Sequence, residues 1–156
     1  MFIPYSEIAN TSRVWVYQSN RKLSDKEVVF IQQKLLAFCN DWKAHQTHLI
    51  SSYKVLYNRF IILLVDEQQQ NASGCSIDSS VKVIKEIEIE FGIDLFNRTQ
   101  IAFVQKGEIV TLSIPEFKKV VQSDTVVFNN LVTTKADLEE NWETVASNSW
   151  HTKFLV

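Results

Sequence analysis

Glycine is scarce in this chain: Gly74, Gly92 and Gly107 are the only three, and none precedes a lysine. A phosphate-cradling Walker loop needs Gly-x-x-x-x-Gly-Lys-Ser/Thr so that backbone amides can wrap the phosphates, and these spacings exclude it. Cysteine is nearly as rare. Cys39 and Cys75 lie in separate helical regions, which argues against a disulfide framework and for free thiols in a reducing cytoplasm. Charge of either sign is not in excess. Sixteen basic and 18 acidic residues leave a net charge of -2, so there is no global basic field for a nucleic-acid backbone. Long hydrophobic runs are missing too. Residues 60–65 form the only extended one, far short of the roughly 20 residues a helix needs to cross a bilayer. The start, Met-Phe-Ile-Pro-Tyr-Ser-Glu, has neither a basic stretch nor an apolar one, so no export is expected. The Asn-x-Ser/Thr triplets at Asn10, Asn71 and Asn97 then carry no weight as glycosylation sites. The partner expected from these exclusions is a protein or a small molecule, with membrane excluded and nucleic acid disfavoured.

What is present is ordinary for a globular domain: 46% hydrophobic, 22% charged and 12% aromatic residues. A chain of 156 residues fits one domain, 1–156, that buries well over half of its unfolded surface without disulfide or metal.

Val14 to Tyr17 reads as a strand from its β-branched and aromatic content. Ser24-Asp25-Lys26-Glu27 combines a capping box with a Leu23–Val28 hydrophobic staple, and helical spacing of Val28, Ile31, Leu35, Phe38 and Trp42 predicts a helix from Asp25 to about Lys43. Residues 50–57 and 60–65 predict a hairpin turning at Asn58. Ile77, Val81, Ile84, Ile87 and Phe91 share one helical face ahead of Gly92, a natural left-handed cap. Residues 87–91 also alternate like a strand, but length and capping favour a helix. Residues 101–104 and 109–112 flank Gly107 as a second hairpin. A short helix follows Ser113, then a strand at 126–128, a helix from Thr134 towards Trp142, and a tail docked by Trp150 and Phe154. The order strand, helix, strand, strand, helix, strand predicts an α+β, ferredoxin-like (βαββαβ) fold. In it two helices cover one face of an antiparallel sheet, with a core at about 12–104. Residues 105–156 are expected to add a hairpin and helix that extend the sheet and cover its edge.

The most chemically loaded stretch is Ala72 to Ser80, which sets a thiol and hydroxyls at the mouth of the second helix. Cys75 there is a candidate nucleophile, because free amides and the helix dipole favour a thiolate. Its candidate bases are His45, His48 and His151, none at a recognisable spacing. The same loop is a candidate anion site, with Ser73, Gly74, Ser76, Ser79 and Ser80 presenting amides and hydroxyls. Asp78 opposes an anion unless Arg13, Arg59 or Arg98 arrives to offset it. The competing reading makes the loop purely structural: Gly74 turns the chain, one of Ser76, Asp78 or Ser79 caps the helix, and Cys75 packs as a small apolar side chain. Asn129 and Asn130, with Thr133 and Thr134, could line a polar wall, although turn and cap duty suits them. His45 and His48 have a metal-compatible spacing but no third ligand, and nothing calls for a cofactor. Asp66-Glu67 and Glu139-Glu140 are adjacent carboxylates that point apart, unlike a general acid and base. Trp15, Trp42, Trp142 and Trp150 read as packing residues more than as a base-stacking platform.

Residues 12–18, 57–61, 72–80 and 128–134 together resemble a family of small uncharacterised bacterial proteins often labelled "ABC transporter ATPase", and the likeness spans the chain. Without a Walker loop or the length of a doubly wound nucleotide domain, the ATPase part of that label brings no catalytic residue to this sequence. The expected function is therefore a cytoplasmic binding or interaction module, with a homodimer through sheet edges or helices as its candidate assembly. The alternatives are a Cys75-dependent enzyme or redox protein and a small anion-binding domain at Gly74–Ser80.

Overall fold

A computed structural model describes all of residues 1–156. Strand β1 (Arg13–Gln18) leads to helix α1 (Asp25–Asp41), which opens on the expected capping box: Ser24 Oγ accepts from the Glu27 N–H, and the Glu27 carboxylate accepts from the Ser24 N–H. The helix stops at Asp41, and Trp42 is already extended. A two-residue hairpin follows, β2 (Lys43–Ala44) and β3 (Thr47–His48), where the sequence suggested a helix end. His45 and Gln46 at its tip both take positive φ, which is the mirror-image turn that suits a tight hairpin. Strands β4 (Ile50–Leu56) and β5 (Phe60–Asp66) form the expected hairpin around Tyr57 and Asn58. Helix α2 (Gly74–Phe91) ends on Gly92 at φ 60°, so the alternating 87–91 stretch is helical. Then come β6 (Gln100–Gln105), β7 (Glu108–Ser113), α3 (Ile114–Val120), β8 (Val126–Phe128), α4 (Lys135–Asn141), β9 (Glu143–Val145) and 3-10 turns at Ala146–Asn148 and Trp150–Phe154. No helix is long and apolar enough to cross a membrane.

The fold is α+β with antiparallel sheets. One sheet has the order β1-β5-β4 and the other β7-β6-β8-β9. The residues of β5 decide how the sheets stack. Ile61 and Leu63 face Ile31 and Leu35 of α1 and Val83, Ile84 and Ile87 of α2. Phe60, Ile62 and Leu64 face the other way, onto Ala102 of β6, Phe128 of β8, Leu138 of α4 and Trp142. The far face of the second sheet is covered in turn: Ile101, Phe103 and Val127 pack with Phe117 of α3, Ala146 and Phe154. Four layers result: helix, sheet, sheet, helix.

The order β1-β5-β4 matches the first three strands of a split βαβ unit. In a ferredoxin-like sandwich the fourth strand lies beside β1, whereas here β6 pairs with β7 and β8 in the second sheet. The boundary expected near residue 104 thus runs through the β6–β7 hairpin, and residues 105–156 build a second sheet instead of lengthening the first. The reason is β5 itself. Six consecutive apolar residues, all fully buried, demand cover on both faces of the sheet, and helices on one face cannot supply it.

Candidate functional site

The mouth of α2 is built as the sequence suggested, but its polar groups turn inward. Ser73 is the cap: its hydroxyl accepts from the Ser76 N–H at 3.1 Å, while Ser76 Oγ accepts from the Ser73 N–H at 2.7 Å. Ser76 Oγ also donates to the Ser73 carbonyl, Ser79 Oγ to the Cys75 carbonyl and Ser80 Oγ to the Ile77 carbonyl. The capping role expected of Ser76, Asp78 or Ser79 thus falls to Ser73, with Ser76 as its reciprocal partner. All four hydroxyls satisfy their own helix, and Ser76 and Ser80 are buried. Gly74 starts the helix in ordinary helical conformation, with no positive φ to make a nest of the loop. The β2–β3 hairpin approaches this end of α2 through Trp42, whose indole N–H donates to the Ser76 carbonyl at 2.8 Å. His45 and His48 are exposed on that hairpin and neither hydrogen-bonds to Cys75. His151 bonds to Ser149.

The two thiols differ sharply. Cys75 is exposed; Cys39 is fully buried in α1, and burial pushes its thiol up to about 11, partly offset by the Ser51 hydroxyl. Maleimide at neutral pH is expected to modify one thiol per folded chain, at Cys75, and the second only after denaturation. Intact mass with peptide mapping reads this directly, and two labels on the native protein would contradict the burial of Cys39.

The remaining candidates are dispersed. Arg13 lies over the Trp15 ring, 4.7 Å from its centroid. Arg59 is 9% exposed and donates to the carbonyls of Ile109 and Asn20 and weakly to Thr111 Oγ1, tying the β4–β5 turn to β7. Its Nε has no partner, and burial lowers its pKa. Arg59 and Lys22 line a cleft of about 710 Å³ that also carries Asp25, Glu108 and Glu143. Asn129 Oδ1 accepts from the Leu131 N–H in a side-chain turn, and Thr134 caps α4. No group of three His, Cys, Asp or Glu side chains is placed to hold a metal ion.

Asn130, by contrast, belongs to a different site. The start of β1 is covered on its outer edge, where the Val14 N–H donates to the Thr133 carbonyl at 3.0 Å and the Lys135 N–H to the Ser12 carbonyl at 2.9 Å. Strand alternation aims the Val16 backbone groups at the same edge, beyond that cover, where no strand pairs with them. Between this open edge and β6 lies a cleft of about 260 Å³. A chain of amides stitches the two sheets beside it. Trp142 Nε1 donates to Asn130 Oδ1 at 2.9 Å, Asn130 Nδ2 to Gln18 Oε1 at 2.9 Å, and Gln18 Nε2 to the Gln100 carbonyl at 3.1 Å.

Nine of the sixteen lining residues are hydrophobic, with aromatic walls from Tyr17, Phe96, Phe128 and Trp150. Tyr17 meets Phe96 edge to face, and Trp150 stacks on His151 with ring centroids 4.0 Å apart. His151 is 1% exposed, and burial, with Lys153 nearby, lowers its pKa to about 4, so the ring is neutral at neutral pH. Its Nδ1 lies 2.7 Å from Ser149 Oγ, and its Nε2 has no partner in the protein. Trp150 Nε1 is buried without a partner. Arg98 and Lys153 supply positive charge, neither forms an ion pair, and no aspartate or glutamate lines the cleft.

The sequence reading missed this cleft because its walls come from β1, the 95–102 segment, Phe128–Leu131 and the tail, which only the second sheet brings together. The legible hint was the tail itself, where Trp150, His151 and Lys153 follow one another. Compared with known proteins, the chain matches no family model, no curated protein and no solved structure.

Proposed function

We propose that the protein is a small-ligand-binding module whose ligand occupies the cleft between β1 and β6. One observation carries this reading: Val16, whose edge backbone groups pair with no strand, and His151, whose Nε2 has no partner in the protein, line a single concave site with aromatic walls. A ligand that pairs a polar group without a partner in the protein gains a hydrogen bond worth about 0.5–1.5 kcal/mol net. Concave, mostly apolar sites with a few fixed polar groups are where small molecules bind. Ser149 Oγ lies 2.7 Å from His151 Nδ1, but no carboxylate lines the cleft to orient the ring, so the reading is one of binding and not of catalysis. It suits a cytoplasmic protein with free thiols. It also suits the small bacterial family that the sequence resembles, since residues 12–18 and 128–134, two of the four stretches carrying that likeness, border the cleft.

A fragment library screened by protein-observed NMR tests the proposal. Binders are expected to shift the amides of Val16, Gln18 and Ala102 and the Trp150 indole N–H together. Shifts confined to residues 73–80 would move the site to the mouth of α2, and a library without hits in the cleft would refute the reading.

A further inference from the structure

Building on that reading of the cleft, we propose that the ligand is a small aromatic carboxylate, its ring held among Phe96, Phe128 and Trp150 and its carboxylate met by Arg98 and Lys153. The charge pattern supplies the first argument. The chain carries more acidic than basic residues, yet none of its 18 carboxylates lines this cleft, while two cations without ion-pair partners do. A cationic ligand would meet repulsion from both and an anionic one attraction, with Lys153 Nζ already 4.8 Å from the Trp150 ring centroid at the aromatic wall. A guanidinium matches a flat carboxylate with two parallel N–H donors, and an ammonium adds a point charge beside it.

Size and shape supply the second. A volume of about 260 Å³ lies just below the range of roughly 300–1,000 Å³ that accepts drug-sized molecules, which leaves room for about one ring with its substituents. The walls are flat aromatic faces. Phosphate is the poorer fit, because sites for it are built from runs of backbone amides at a glycine turn or a helix N-terminus, and this wall contains no glycine. Inside, the amides of Gln18 and Asn130 are fixed by their mutual bond, whereas His151 Nε2 has no partner in the protein and is left for a ring substituent.

The test titrates the full chain with benzoate, 4-hydroxybenzoate and indole-3-acetate, and in parallel with benzamide, acetate and inorganic phosphate, reading the Trp150 indole and Gln18 amide resonances. The aromatic carboxylates are expected to saturate, benzamide and acetate to bind at least about tenfold more weakly, and phosphate to leave these resonances in place. Arg98→Gln is expected to weaken benzoate about tenfold, and adding Lys153→Gln to weaken it further; both side chains are exposed, so an unchanged Tm verifies folding. Equal affinity for benzoate and benzamide, or charge variants that bind as the parent does, would overturn the carboxylate assignment while leaving a binding cleft. Saturation by phosphate alone would overturn the aromatic part. If none of the six compounds moves the cleft resonances, the cleft reading fails along with the ligand class.

Discussion

Phe60→Ala is expected to cost the folded state about 3–5 kcal/mol, enough to consume a large part of the stability of a domain this size. Phe60 is fully buried at the start of β5, on the face that meets the second sheet. Its ring packs against Phe128 at 4.9 Å and edge-on to Trp142 at 4.8 Å, and those two rings pack against each other at 4.8 Å. Truncation removes the transfer free energy of the ring and opens a cavity in a cluster drawn from three separate elements, which cannot collapse together. Chemical denaturation by urea gives the measurement. Ile89→Ala, on the outer face of α2 where the side chain is 83% exposed, is the control and is expected to stay within about 0.5 kcal/mol of the parent. A Phe60→Ala penalty below about 1 kcal/mol would mean that the two sheets do not pack face to face.

That packing is also where the sequence was most and least legible. Local elements read well because their causes are local. The Ser24 and Ser113 caps, the Gly92 terminator, the Asn58 and Gly107 turns and the periodicity of α1 and α2 all fall where the residues place them. The β2–β3 hairpin was hidden because its turn takes positive φ at His45 and Gln46 without the Asn-Gly or Asp-Gly pair that marks such turns in a sequence. The third dimension was harder. A strand order of β-α-β-β-α-β suits a single sheet covered on one face, and local pattern alone gives no reason to move β6 away from β1. The uninterrupted apolar run of β5 held the needed information: alternate residues of a strand point to opposite faces, so Phe60, Ile62 and Leu64 needed a layer of their own. Read that way, residues 105–156 are the second layer, and the cleft at the seam follows from β1 losing its fourth-strand neighbour. Residues 73–80, meanwhile, attract notice through an unusual density of hydroxyls, and the helix uses those hydroxyls for its own first turns.

The buried imidazole at that seam makes stability depend on pH in a defined window. His151 has an unfolded pKa near its ordinary 6.5 and a folded pKa lowered to about 4 by burial and by Lys153. Between these values the unfolded chain binds a proton that the native protein refuses, so stability rises with pH there. Its contribution is complete above pH 6.5 and is lost as pH falls towards 4, with a slope of at most about 1.4 kcal/mol per pH unit and a total of up to roughly 3 kcal/mol. Carboxylates act lower: Glu27, held down to about 2 by Arg21 and the Ser24 amide, loses its contribution only as pH drops below the ordinary carboxylate range. The Met1 ammonium, also lowered from 8.0 by burial, acts alike in parent and variant, so the difference between a parent and a His151 variant isolates the histidine from pH 6.5 to 5. Urea denaturation of the parent and of His151→Gln at pH 7.5, 6.5, 5.5 and 4.5 should give a steeper fall for the parent, so that the two curves converge on acidification. Ser149→Ala, which removes the hydroxyl beside Nδ1 and keeps the ring, should retain the steep profile even where it lowers stability throughout. Parallel curves for the parent and His151→Gln would show that the ring is not held neutral by the fold, and would take with it the neutral wall that the cleft presents to a ligand.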